Sequence, residues 1–228
     1  MHGIPMINWV IANFDLNEND RVFIIVKNGD RIEELRENWF KVSNLKLNFI
    51  VLNGITEGPA DSVNKVRKLI DGEKPMIVAN SDQFVNSRLR HFVDEVCHSS
   101  NVGSILTMYA SGEKWSYIEA SSNGTVNKVV EKVELSDQAT VGIYGWKKAM
   151  HFFDSFDEMK QANDRTNNEF YVAPTYNYLI NRGLNVSYIN IGNLEDTVFG
   201  LGTPEDLEFF LQNKESARLA QTIKHSLR

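Results

Sequence analysis

Cysteine is almost absent from this 228-residue chain: Cys97 is the only one. No disulfide can form within one chain, and a reducing compartment, the cytoplasm, is the expected setting. No apolar run approaches the roughly 20 residues of a membrane-crossing helix, so no membrane partner is expected. The opening Met1-His-Gly-Ile-Pro-Met-Ile7 lacks the basic segment and long apolar core of a signal peptide. Positive charge is in deficit: the net charge is -6 and the pI about 5.4, which excludes a broad nucleic-acid surface while leaving room for a local basic pocket. Five histidines (His2, His91, His98, His151, His225) fall at no metal-ligand spacing, and no Ser-His-Asp or Cys-His set can be assembled. There is no internal repeat, low-complexity tract or obvious linker.

What the chain does have is an ordinary soluble composition, 42% hydrophobic and 24% charged, enough for one large domain or two small ones. Strand-like and helix-like stretches alternate. Helical spacing at 6–14 is followed by strands at 21–26, 47–52 and 76–79, with helices expected at 31–40, 61–70 and 87–97 between and after them. This rhythm predicts a mostly parallel sheet flanked by helices, a Rossmann-like α/β fold with right-handed crossovers. After about Val102 the texture changes. Strands at 103–110, 115–120, 126–131 and 140–144 are joined by turn clusters, and Asn123-Gly124 is a hairpin signal. These read as an antiparallel insertion. Helices at 147–156 and 169–181, a strand at 186–191 and a last helix opened by Thr203-Pro204-Glu205-Asp206 complete the pattern. A single domain over 1–228 is the simplest expectation.

Four places carry candidate chemistry. The run Met76 to Ala79 ends in Asn80-Ser81-Asp82, which reads as a buried parallel strand delivering a carboxylate to the sheet edge where α/β folds bind ligands. Asp82 there suits a hard cation and a nucleotide's phosphates, or simply a helix cap. The loop Asn53 to Ser62 has Gly54 and Gly58 for close backbone approach to a base or phosphate, or is an ordinary βα connection. Glu131 and Lys132 could bind sugar hydroxyls and a phosphate. Adjacent strand residues point to opposite faces, so both serve one ligand only where the strand ends or bends; a solvated surface pair is the plainer reading. Glu169, in Asn167 to Tyr176, could meet a substrate hydroxyl, the aromatic residues around it reading as core.

In order along the chain, Gly3 to Val10, Thr56 to Ala60, Pro75 to Gln83, Gly124 to Lys132, Ala139 to Tyr144, Asn168 to Tyr171 and Gly200 to Leu207 resemble the sugar-phosphate nucleotidyltransferase family, whose members make nucleotide sugars for surface polysaccharides. The resemblance implies attack of a sugar 1-phosphate, or a similar phosphate, on the α-phosphorus of a nucleoside triphosphate, with release of pyrophosphate. It implies Asp82 as Mg²⁺ ligand, Gly58 as part of the base-binding wall, Gly142 and Glu131 on the sugar and Lys132 on its phosphate; Asn80 at the strand edge and Glu169 stand as further substrate-binding candidates. Two features depart from the family. Its opening strand, glycine-rich loop with an Arg, and Pro-Lys pair would lie before Met1, a piece of roughly 25 residues, about one βα unit. That gap reads as a truncated start, a degenerate nucleotide-binding relative, or replacement by another basic residue; the loss of a central strand favours truncation. The second metal-binding Asp aligns with Gly200, with Glu195, Asp196 or Glu205 as substitutes. A glycosyltransferase of related fold is the remaining alternative, disfavoured because Ser81-Asp82-Gln83 is not Asp-x-Asp. The base, the sugar and any homo-oligomer are left open.

Overall fold

A computed structural model describes residues 1–14, 16–29, 32–33, 46–87 and 89–225. The helix expected over 31–40 lies almost wholly outside the described residues. Contacts gather the chain into two compact units, each built from separated segments: 1–54, 80–89 and 195–228 in the first, 55–79 and 90–194 in the second.

In the first unit, strands β1 (Arg21–Lys27) and β2 (Lys46–Leu52) pair in parallel, Ile24 opposite Phe49. Helix α1 (Met6–Ile11) starts after Pro5, whose ψ of 146° keeps it outside the helix. Two strands of three residues that no periodicity could reveal, β4 (Gln83–Val85) and β10 (Val198–Gly200), pair antiparallel. Asn13 serves β4 on its other side: its Oδ1 accepts from Val85 N at 2.9 Å and its Nδ2 donates to Gln83 O at 3.4 Å. A buried side-chain amide thus satisfies backbone groups that would otherwise lie unpaired. Helix α6 (Pro204–Gln212) begins as expected, Thr203 Oγ1 accepting from Asp206 N at 3.1 Å, and α7 (Lys214–His225) follows. Trp9, Phe84, Phe199 and Phe210 form the core. Trp9 meets Phe84 and Phe210 edge-on, with ring centres 5.1 and 5.0 Å away.

The second unit is a mixed sheet with strand order β7 (Val126–Glu131), β6 (Ser116–Ala120), β8 (Gln138–Trp146), β5 (Gly103–Tyr109), β9 (Val186–Asn193), and β3 (Met76–Ala79) paired to β8. Helices α3 (Arg90–His98), α4 (Ala149–Gln161) and α5 (Thr175–Asn181) pack on it. The mixed α/β class, a sheet flanked by helices, is as expected. The mostly parallel pairing is not: among the described strands only β1 with β2 and β5 with β9 are parallel. β3 pairs antiparallel with β8 and is half-buried, whereas the sequence predicts a buried parallel strand. A four-residue apolar run carries burial information but none on direction. In this sheet β5 with β9 is parallel, and β3, β5 and β6 each run antiparallel to β8.

Two helices differ from expectation for local reasons. The one expected over 61–70 is α2 (Pro59–Asn64) followed by a 3₁₀ turn, Arg67–Leu69; Pro59 takes the first helical position, which needs no amide hydrogen. The one expected over 169–181 starts only at Thr175. Before it, Phe170 spends both backbone groups on the 57–60 loop: its N donates to Glu57 O at 2.8 Å and its O accepts from Ala60 N at 2.9 Å. Close helix–sheet contact explains two glycines. A methyl at Gly145 would stand 2.2 Å from Val96 Cγ2, and one at Gly103 would stand 2.7 Å from Tyr176 Cε1. Tyr176 lies stacked 4.8 Å from Trp146, and its hydroxyl donates to Gly145 O at 2.8 Å.

Truncating Phe210, fully buried among the first unit's rings, should cost about 3–5 kcal/mol. Phe209→Ala, at a position 43% exposed, should change stability by about 0.5 kcal/mol or less. Urea unfolding followed by tryptophan fluorescence measures both, and equal losses would show that α6 is not held by the Phe210 contact.

Candidate functional site

Strand β7 ends at Glu131, and Lys132 follows with a φ of +58°. A left-handed lysine is strained, and this one is fastened by its amide, which donates to Trp115 O at 3.0 Å. The bend is the condition under which neighbouring residues can address one ligand. Lys132 Nζ donates to Tyr171 Oη at 2.7 Å and stands 4.8 Å from the centre of that ring. The Tyr171 bond, with Glu131 and Glu169 nearby, holds the ammonium pKa above its usual value. Glu131 accepts a hydrogen bond from Ser116 Oγ. Burial pushes its carboxyl up, against the opposing pull of Ser116 and Lys132. Behind them Tyr144 is buried, its hydroxyl 2.8 Å from Thr140 Oγ1, and burial drives its pKa up to about 12. It is a neutral hydrogen-bonding group at any ordinary pH.

The structure therefore brings Glu131 and Glu169 each within electrostatic reach of Lys132 and adds Ser116 and Tyr171. Tyr171 was legible only as a core aromatic, because the sequence around it does not show that its hydroxyl meets an ammonium. Gly142 lies on β8 with a φ of +79°, where the register against β5 shifts between Ile105 and Thr107, and β3 ends opposite its neighbour Ile143.

Gly58 has a packing duty. Its φ is +130°, and a methyl there would stand 2.6 Å from both N and O of Phe170 and 3.1 Å from Glu169 Cβ. Backbone cannot swing aside as a side chain can, so glycine is what lets the 57–60 loop lie against 169–170. Charge closes the same seam from outside. Glu57 pairs with Lys160 at 2.6 Å and Arg165 at 2.5 Å, and Arg165 lies 3.9 Å from the centre of the Phe170 ring. Those two bonds lower the Glu57 pKa to about 2.

Asp82 and Asn80 belong to the first unit. Asn80 is exposed. Asp82 leads into β4, its carbonyl accepting from Leu201 N at 2.7 Å. Burial raises its carboxyl pKa, the charge of Asp206 raises it further, and a hydrogen bond from its own backbone opposes both. A Cβ at Gly202 would stand 2.6 Å from Asp82 Oδ2, and one at Gly200 would stand 3.1 Å from Asp206 Oδ2. Among the described residues no three of His, Cys, Asp and Glu group as a metal cage. No helix among them is long and apolar enough to cross a membrane.

The family description "nucleotidyl transferase" matches residues 1–191. No curated protein matches. Among solved structures, the nucleoside-diphosphate-sugar pyrophosphorylase from Vibrio cholerae RC9 is similar over 93% of this chain and 89% of its own, with 24% identity and a TM-score of 0.78. The inositol-1-phosphate CTP transferase from T. maritima is similar over 100% and 86%, with 12% identity and a TM-score of 0.72. At these identities the likeness is one of fold.

Because Glu57 has a folded pKa below its ordinary 4.5, its pairs contribute stability above about pH 4.5 that is lost as pH falls toward 2. Glu57→Gln should therefore flatten the acid limb of a melting-temperature profile across that window. The difference should shrink in high salt because the pairs are exposed. An unchanged acid limb would remove Glu57 from the seam.

Proposed function

The chain belongs to the nucleotidyl transferase family, and from that premise we propose that it transfers a nucleoside monophosphate from a nucleoside triphosphate to a sugar 1-phosphate or a similar small phosphate. An acceptor phosphate oxygen attacks the α-phosphorus. The bond from that phosphorus to the bridging oxygen breaks, and pyrophosphate leaves with the electron pair. Such transfers need positioning and charge neutralisation more than covalent help from protein.

The observation that carries the reading is the bend at Glu131–Lys132. It offers an ammonium for a phosphate and a carboxylate for hydroxyls from consecutive residues, with Tyr171 orienting the ammonium. A phosphorylated polyol asks for both groups side by side. Lys132 is an ammonium at any ordinary pH, its pKa held above the usual value by Tyr171; in this reading it grips the acceptor phosphate. Glu131, fixed by Ser116, and Glu169 accept from acceptor hydroxyls. Gly142 gives backbone access at the β8 irregularity. Gly58 backs the base in addition to its packing duty, and Asn80 contacts the nucleotide. Nucleotide-sugar synthesis for surface polymers in the cytoplasm is the setting that suits this chemistry.

We assign Mg²⁺ as the cofactor and Asp82 as its ligand. The residues present fit a small cation: a half-buried carboxylate that also feels the charge of Asp206, over a glycine at 202 whose missing Cβ leaves room. When bound there, Mg²⁺ would offset negative charge on the triphosphate.

Pyrophosphate release, screened with five nucleoside triphosphates against sugar 1-phosphates and inositol phosphates in Mg²⁺, should be positive for at least one pair. For that pair Lys132→Ala should lower kcat/KM about 10- to 100-fold, the cost of one charged hydrogen bond. It should leave the melting-temperature rise caused by the triphosphate alone in place. No release with any pair would sink the reading.

A further inference from the structure

Three buried hydroxyls stand in a row behind the Glu131 carboxylate, carried by two strands. Ser116 lies directly opposite Glu131 in the β6–β7 ladder, which puts both side chains on one face, and its hydroxyl donates to the carboxylate. Tyr144 of β8 hydrogen-bonds Ser116 and, at 2.8 Å, Thr140 Oγ1. Ser116 is 7% exposed, Tyr144 4% and Thr140 2%, so these hydroxyls answer one another rather than solvent. Proton counting gives the row a direction. An ionised carboxylate only accepts, so Ser116 spends its proton on Glu131. The Ser116 oxygen then accepts from Tyr144, and the Tyr144 oxygen accepts from Thr140. Every proton points toward Glu131. A hydroxyl that accepts one bond donates a stronger one, so Tyr144 and Thr140 reinforce the Ser116 bond without touching the carboxylate. Burial opposes the charge of Glu131, and the Ser116 bond sustains it. The charged and titratable groups acting on Glu131 are its neighbour Lys132 and, from β8, Tyr144; Tyr171 and Glu169 act on Lys132.

We propose that Tyr144 and Thr140 are positioning residues that act through Ser116 to hold Glu131 as an accept-only carboxylate, so that the acceptor molecule must present a hydrogen-bond donor, a hydroxyl or an amine, at that point. A carbonyl or carboxylate oxygen there would meet Glu131 with no proton between them. The choice of acceptor rests on the nucleotidyl-transfer reading; the directed row of hydroxyls does not.

The test is the pH titration of the Glu131 carboxyl carbon, followed by NMR in the full chain without ligand, with Glu131→Gln to assign the signal. Ser116→Ala, Tyr144→Phe and Thr140→Val should each move the titration to higher pH, in that descending order, because each removes a link farther from the carboxylate. Thr140→Ser keeps the hydroxyl and should titrate as wild type. Circular dichroism checks folding, and the two Thr140 variants carry the test if Tyr144→Phe does not fold. A titration unmoved by Thr140→Val, or a shift that Thr140→Ser shares, would overturn the row. Pyrophosphate release is measured on the same variants. For the reacting pair, Tyr144→Phe should lower kcat/KM about 2- to 10-fold, the worth of one neutral hydrogen bond, and carry the acid limb of the pH profile upward with the titration. The hydroxyl acceptor should outpace its keto analogue about tenfold or more, and Glu131→Gln, whose amide also donates, should narrow that gap; an unchanged gap would overturn the acceptor rule. Ordered titration shifts with no release from any pair keep the hydroxyl row and sink the transfer reading. Release from a protein whose Glu131 titration ignores Tyr144 and Thr140 does the reverse.

Discussion

A reciprocal pair of backbone hydrogen bonds organises the second unit's candidate site. Phe170 donates to Glu57 O and accepts from Ala60 N, two segments far apart in the chain clasped through main-chain groups alone. The clasp closes only because residue 58 has no side chain, since a methyl would collide with the atoms of Phe170 itself. Its consequences run along the chain in both directions. Phe170 is fully buried against Phe156, which fixes Glu169 on one side and Tyr171 on the other, and Tyr171 in turn holds Lys132. The ion pairs of Glu57 with Lys160 and Arg165 close the seam in solvent, where salt bridges contribute little singly. The organising force is steric and hydrogen-bonded, with charge as reinforcement.

Much of this was legible in the sequence where a local signal existed. β7 ends at Glu131 as its alternation predicts, the hairpin turn falls at Asn123-Gly124 with Gly124 at a φ of +84°, and Thr203 caps α6. The requirement that Glu131 and Lys132 sit at a bend follows from strand geometry, and the bend is there. What was not legible lacks a local signature. The direction of β3 depends on its partner rather than on its own four residues. β4 and β10 are too short for any period to show. Tyr171 and Ser116 act through hydroxyls whose partners come from other strands and loops.

Electrostatics divides the two candidate regions by character. Near Lys132 an ammonium is surrounded by a tyrosine hydroxyl and two carboxylates, which keep it charged. Near Asp82 a carboxylate faces burial and another carboxylate, which make its charge costly. The lysine's neighbours stabilise its charge, whereas burial and the nearby carboxylate oppose the charge of Asp82.

The discontinuity of the first unit has a consequence for the order in which this protein is made. Residues 55–79 and 90–194 contain every strand and helix of the second unit, so that unit can fold while the ribosome is still adding residues. The first cannot. Trp9 and Phe84 wait for Phe199 and Phe210. A nascent chain therefore carries the Glu131–Lys132 bend before the first unit can close, and its aromatic core stays open until the last helices emerge. Chaperone demand on this protein should concentrate in that interval.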